Sequence, residues 1–229
     1  MDSSLRAIAR PSRNLFSINS WHVGLPELIS CLIILRGEIS MESYQTKITV
    51  NSREILTLKD ILPEDPGLKI LFIAKTPAPI SVNAGHYFQG SQGTAFWNKL
   101  KNYGILKASP GVKEDTQLIS HGYGILDIVK TPRGYGNEPS DEEYKDGMDR
   151  ILNVISIHNP SVIVFVYKKP LDKILKSIYS IEKKSAYGFN HDLKELFGSH
   201  VFVFPMPGTP CTTKDAHKAM TELSMIYGR

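Results

Sequence analysis

Two rhythms of apolar and polar positions alternate along the chain from Ile55 onward. Four short runs, Lys69–Ala74, Gly124–Val129, Ser161–Tyr167 and Val201–Phe204, are rich in β-branched and aromatic residues with little polar interruption. Runs of that length and composition read as strands buried on both faces, as in a parallel sheet. Between and after them lie helical patterns at Ala95–Tyr103, Ser140–His158, Leu171–Ser180, His191–Phe197 and Thr213–Tyr227. The longest has the clearest ends. Ser140 stands where an N-cap belongs, Asp141, Glu142 and Glu143 fill the first turn, and Pro160 follows the end. Strands alternating with helices predict an α/β fold, a three-layer α/β/α sandwich on a central, mainly parallel four-stranded sheet. In such sheets the working residues sit on loops beyond the carboxyl ends of the strands. That places the search just after Ala74, near Val129, after Tyr167 and after Phe204.

The first forty residues read differently. Arg6, Arg10 and Arg13 stand among Ser, Asn and Pro, a short apolar stretch follows, and then Met41. Residues 1–40 are expected to be a loosely structured N-terminal extension, or an over-called start with translation beginning at Met41. A packed N-terminal helix and a transit peptide are the alternatives. Residues 41–229 form the expected domain. The apolar stretch Leu25–Leu35 is broken by Pro26 and Glu27 and falls far short of the roughly 20 residues of a membrane span.

Composition narrows the class only a little. The 229 residues are 41% hydrophobic and 22% charged, enough apolar material for one sizeable core. A net charge of +4 permits a polyanionic partner without requiring one. Two solitary cysteines, Cys31 and Cys211, point to a reducing compartment and against a disulfide framework or a thiolate-ligated metal. No Gly-x-Ser-x-Gly elbow, phosphate-binding glycine loop or metal-ligand cluster is present, which disfavours the common small-molecule hydrolases.

The strand ends carry the chemistry. After the first strand come Ala74-Lys75-Thr76-Pro77-Ala78-Pro79 and then Gly85-His86-Tyr87-Phe88-Gln89-Gly90-Ser91-Gln92-Gly93-Thr94-Ala95-Phe96-Trp97. The second strand runs through Gly124-Ile125-Leu126-Asp127-Ile128-Val129-Lys130, and the fourth into Phe204-Pro205-Met206-Pro207-Gly208-Thr209-Pro210-Cys211. In order and spacing, from Leu58 to Leu223, this resembles the uracil-DNA glycosylase superfamily, most closely the mismatch-specific uracil/thymine-DNA glycosylases. The resemblance implies hydrolysis of the N-glycosidic bond of a flipped-out uracil or a related deaminated or mismatched base. It implies a monomer that acts on double-stranded DNA with no metal and no cofactor, cytoplasmic at the nucleoid in a prokaryote and nuclear in a eukaryote. A non-catalytic relative that binds DNA or a nucleobase through the same pocket is the alternative.

Such an enzyme must take its base out of the stack, hold its Watson–Crick edge and support departure of an anion. A Pro/Ala-rich turn lets main-chain N–H groups approach a base carbonyl closely. By the resemblance, Thr76, Asp127 and His86 are the catalytic candidates, and Lys75, Phe88 and Asp127 the base-binding ones. Pro207, Gly208, Thr209 and Pro210 form the loop for the minor groove, with Pro210 as its apolar wedge. Lys168 and Lys214 are the candidate phosphate contacts. Thr76, Phe88, Asp127 and Pro210 are expected to converge on one cleft.

Thr76, Asp127 and the alanines Ala74 and Ala78, which stand where the family has glycines, depart from the pattern, and Lys75 is unusual beside the turn. Thr76 stands where the family has an Asn that orients the attacking water, and a hydroxyl cannot present a carbonyl acceptor and an amide donor together. Weak hydrolysis, or none, is expected from that position. Asp127 replaces an amide or another polar residue, and it either reads the base as an acceptor or braces the loop that follows. Lys75 could reach a phosphate or, if desolvated, attack the sugar as an amine; an exposed lysine is the plainer reading. For His86 the plainer reading is a hydrogen bond that fixes its loop, and for Phe88 it is core packing.

Overall fold

A computed structural model of the chain describes residues 43–134 and 136–228. The expected N-terminal extension lies outside the described residues. They open on a hairpin that the sequence pattern does not announce. Strand β1, Gln45–Val50, pairs antiparallel with β2, Arg53–Leu58. Asn51 and Ser52 turn between them with φ of 49° and 62°, the double positive φ that a tight two-residue hairpin loop requires.

The central sheet follows the apolar runs closely. Strands β3 (Ile70–Ala74), β4 (Tyr123–Asp127), β5 (Val162–Phe165) and β7 (His200–Val203) are parallel and in the order β4-β3-β5-β7. Every residue of β3, β4 and β5 is buried, which is why they read as continuous apolar runs without alternation. The sheet has five strands, one more than expected. The fifth, β6, is Gly188–Phe189 and pairs antiparallel with β7 at the edge. Two residues are too few for a periodicity, so the extra strand exists only because β7 offers it a ladder.

Six α-helices of the described residues cover the faces: α1 (Pro79–Ala84), α2 (Ser91–Asn102), α3 (Asp141–His158), α4 (Lys168–Ser177), α5 (Lys194–Phe197) and α6 (Thr213–Tyr227). Adjacent residues of a strand face opposite ways, and the core divides accordingly. Ile70 and Phe72 of β3 pack with Phe96 and Trp97 of α2 and Met220 and Leu223 of α6. Leu71 and Ile73 pack with Met148 and Ile151 of α3 and Leu171 and Ile174 of α4. Two apolar clusters on two faces of one sheet make the three-layer sandwich.

Helix ends account for the shifted boundaries. Ser140 caps α3 through a full capping box, accepting from the Glu143 N–H while the Glu143 carboxylate accepts from the Ser140 N–H. Helix α4 starts at Lys168, ahead of the expected Leu171, because Pro170 fits a first turn, where its missing N–H has no intrahelical partner to lose. Where one helix was expected over His191–Phe197, a 3-10 turn (His191–Leu193) leads into the short α5. None of the helices of the described residues is long and apolar enough to cross a membrane.

Candidate active site

Three neighbouring strands, β4, β3 and β5, deliver their carboxyl ends to one cavity of about 120 Å³. The chain steps from β3 outward to β4 and then returns across β3 to β5, so the cavity sits beside the point where strand order reverses. Thr76 follows β3, Asp127 ends β4 and Tyr167 follows β5. Ser81 from α1, Phe88 from the connection into α2 and Gln92 from the first turn of α2 close the remaining walls.

Asp127 dominates the electrostatics. It pairs in register with Ala74 and is 1% exposed. Its Oδ2 has no hydrogen-bond partner among the described residues. Burial pushes its carboxyl up to about 7, with Lys130 and the Tyr87 hydroxyl opposing the rise and the nearby Asp60 adding to it. A carboxyl in that range holds its proton for part of the time at neutral pH. The main chain beneath it is clamped: Arg150 of α3 donates to the Asp127 carbonyl and ion-pairs with Asp60, which also pairs with Lys130. Tyr87, packed under the same carboxyl, donates its hydroxyl to the Lys59 carbonyl at 3.1 Å. Burial first, and then the Asp127 charge, hold that phenol well above its usual range.

Phe88 is held in a conformation that a bulky residue rarely adopts, with φ of 55°. Several contacts over-determine it. Gly93 lies so close that a Cβ there would stand 2.2 Å from the Phe88 carbonyl oxygen. The Gln89 N–H donates to Ser81 Oγ at 3.1 Å, and the Trp97 indole N–H donates to the Tyr87 carbonyl at 3.3 Å. Phe96 backs the Phe88 ring at a centroid distance of 4.6 Å. Strain that neighbours must hold in place is characteristic of binding sites, and here it sets an aromatic face on the cavity wall.

Two other candidates point elsewhere. His86 is 2% exposed and is not among the residues lining the cavity; its Nδ1 lies 3.0 Å from the Asp115 carboxylate, which also accepts from the Tyr87 N–H at 2.7 Å. The pair fixes the loop that carries Phe88. Lys75 reaches Glu138 at 3.2 Å, away from the cavity lining. Burial works to raise the Glu138 carboxyl, but the Tyr144 hydroxyl and the Lys75 and Lys169 ammonium groups outweigh it and hold it below the usual range.

A second concavity adjoins the first. A groove of about 570 Å³ is lined by Lys168, Lys169, Lys173, Lys176, Lys183 and Lys184, and Tyr167 belongs to both spaces. Thr209 and Pro210 line this groove and not the small cavity. Three of the four residues expected to share one cleft therefore do so, and Pro210 stands next door. Pro207 and Gly208 are exposed on the same loop, where Gly208 takes φ of 79° and the Thr209 hydroxyl donates to the Met206 carbonyl at 2.6 Å. Lys214 is exposed in the first turn of α6 and lines neither space.

Sequence reasoning overlooked Gln92, Ser81, Tyr167, Asp60 and Arg150. Tyr167 was within reach, because it ends an apolar run, where such sheets place working residues. Arg150 was not, because nothing in a helical pattern says that one of its cations will meet a strand carbonyl. Among the described residues no three His, Cys, Asp or Glu side chains come together as a metal site would require. A sequence model of the uracil DNA glycosylase superfamily matches residues 63–217, a span that takes in the cavity from Thr76 to Tyr167 and the groove as far as Pro210.

Proposed function

Since the chain belongs to the uracil DNA glycosylase superfamily, we propose that it excises uracil, or a related deaminated or mismatched base, from DNA. The observation that carries this reading is a buried carboxyl with an unpartnered oxygen, set in a cavity beside a braced aromatic ring. A base turned out of its stack needs both: Phe88 for its face and Asp127 for its edge. Ionised, Asp127 offers acceptors alone and takes the N3–H of uracil or thymine. Protonated, it also donates, and then accommodates the N3 of cytosine. Thr76 holds the attacking water by its hydroxyl, and Gln92, which lines the same cavity, supplies the amide acceptor and donor that Thr76 lacks. The likeness to the mismatch-specific enzymes is part of the proposal and rests on the order and spacing of the motifs.

The test is a panel of labelled duplexes carrying uracil, thymine, hypoxanthine, xanthine or cytosine opposite different partners, treated with alkali after incubation. Strand scission is expected first with uracil, with any cytosine activity growing as pH falls below about 7. Binding to an abasic duplex without scission of any substrate would favour the second reading, a non-catalytic binder. The hydroxyl of Thr76 at the water position is what speaks for that reading. No binding and no scission would defeat both.

A further inference from the structure

The amino ends of the strands, away from the candidate active site, hold a concavity of their own. A cavity of about 490 Å³ opens where β3 and β4 begin, lined by Lys69, Ser120, His121, Tyr123, Ile226 and Tyr227 among others. Ile70 and Tyr123 are the first paired residues of those strands, and Ala74 and Asp127 the last. Four residue steps of about 3.3 Å put roughly 13 Å of sheet between this end and the Asp127 end. Helix α6 returns to the same place. The Tyr123 hydroxyl donates to the Ile105 carbonyl at 3.0 Å and lies 3.3 Å from the carbonyl of Tyr227, the last residue of that helix.

No acid lines this cavity. Lys69 and Lys107 are exposed, and neither ammonium pairs with an acid among the described residues. The Lys69 stem lies along Gly122, where a Cβ would stand 3.4 Å from it. The main-chain N–H of Lys107 donates to His121 Nε2 at 3.2 Å, and His121 Nδ1 lies 2.8 Å from the Gln117 carbonyl. The imidazole therefore carries its proton on Nδ1 and braces the rim, which leaves the two lysines as its uncompensated charge.

Beside that charge stand bare apolar side chains. Ile226 lines the cavity and is 56% exposed, its neighbour Met225 is 79% exposed, and Ile119, next to Ser120, is 40% exposed. Large apolar side chains left uncovered around a concavity mark an interaction surface. A small anion would satisfy the lysines and leave Met225 and Ile119 in water. A nucleic-acid backbone would set phosphate and sugar against Ile226. A protein segment that carries an acid next to an apolar side chain meets both demands at once.

We propose that the amino end of the sheet is a docking site for a protein partner that presents a carboxylate beside a large apolar side chain, the acid meeting Lys69 and Lys107 and the apolar group entering the cavity against Ile226. Because the site stands at the other end of the strands from Thr76 and Asp127, the partner binds without displacing what the small cavity holds. The proposal goes beyond the glycosylase reading and does not depend on it.

The test pans a displayed library of random 12-residue peptides on the full-length protein, with Lys69→Met protein as the counter-target. Enriched peptides are expected to carry Asp or Glu within a few residues of Leu, Ile or Phe. The strongest of them, synthesised with a fluorescent label, should bind the parent by anisotropy with an affinity that falls as salt rises. Lys69→Met and Ile226→Ser should each weaken it about tenfold, and Lys69→Glu more than Lys69→Met. Replacing the peptide's acid by its amide should cost the parent about tenfold and the Lys69→Met protein almost nothing, a difference that a general loss of fold would not produce. An excess of DNA duplex should leave the peptide in place. No enrichment over the counter-target, enriched peptides without acids, or displacement by the duplex would overturn the proposal.

Discussion

A single carboxyl concentrates the chemistry of this protein. Asp127 was chosen from the sequence for its place at a strand end, but its proton belongs to the fold. Burial raises its carboxyl from 3.8 to about 7, so between roughly pH 4 and pH 7 the native state keeps a proton that the unfolded chain gives up. Stability therefore falls as pH rises through that window, by up to about 4 kcal/mol, and changes no further above it. Asp127→Asn does not titrate and should lack the decline. Urea denaturation at pH 4.5 and pH 7.5 checks this: the variant should gain on the parent at the higher pH, and a difference independent of pH would mean that the carboxyl is not desolvated. Thr76 invites the complementary change. If water is positioned there, Thr76→Asn should raise uracil excision, and Gln92→Ala in that background should cost less than in the parent. Unchanged or lower turnover in a folded Thr76→Asn protein would assign the water to another group.

At the scale of elements, the site depends on one close approach. Helix α3 lies against the end of β4 at Gly147, where a Cβ would stand 2.2 Å from the Ile128 carbonyl oxygen. Three residues further along the same helix, Arg150 holds the Asp127 carbonyl. Gly147→Ala gains helix propensity of about 1 kcal/mol but must lift α3 from the strand, an overpacking cost of about 1–3 kcal/mol. The expected result is a lower urea midpoint together with weaker substrate binding, because the Arg150 clamp moves with the helix. A midpoint equal to or above that of the parent would show that α3 has room to spare. Phe88 follows the same logic on the other wall, where Gly93 and Trp97 hold its loop and His86, through Asp115, anchors the base of it.

Over the whole molecule the two concavities open side by side, and the basic lining of the groove should make DNA affinity fall as salt rises. Removing one phosphate contact lowers the duplex log–log slope by about 0.9. Lys168→Ala, beside the shared Tyr167, should show that loss without a change of base preference. Lys214→Ala should do the same only if bound duplex extends past the groove to the first turn of α6. Titrations at several salt concentrations decide between them, and a flat response would count against any DNA role.

Local pattern was sufficient for the frame. Continuous apolar runs mark strands buried on both faces, Ser140 and Glu143 announce a helix start, and the parallel order follows from their alternation, so the sandwich and its working end were legible from Ile55 onward. Short antiparallel pieces were not legible: the hairpin of β1 and β2 rests on positive φ at Asn51 and Ser52, and β6 on an edge provided by β7. For the site, sequence position told which loops meet, since loops after adjacent parallel strands must lie together. It could not tell where side chains turn. His86 went to Asp115, Lys75 to Glu138 and Pro210 to the neighbouring groove, while Gln92 and Tyr167 joined the cavity unannounced. Those outcomes depend on burial and on partners distant in sequence, because the protonation and aim of a side chain follow from the field and packing around it. Only the tertiary structure supplies either.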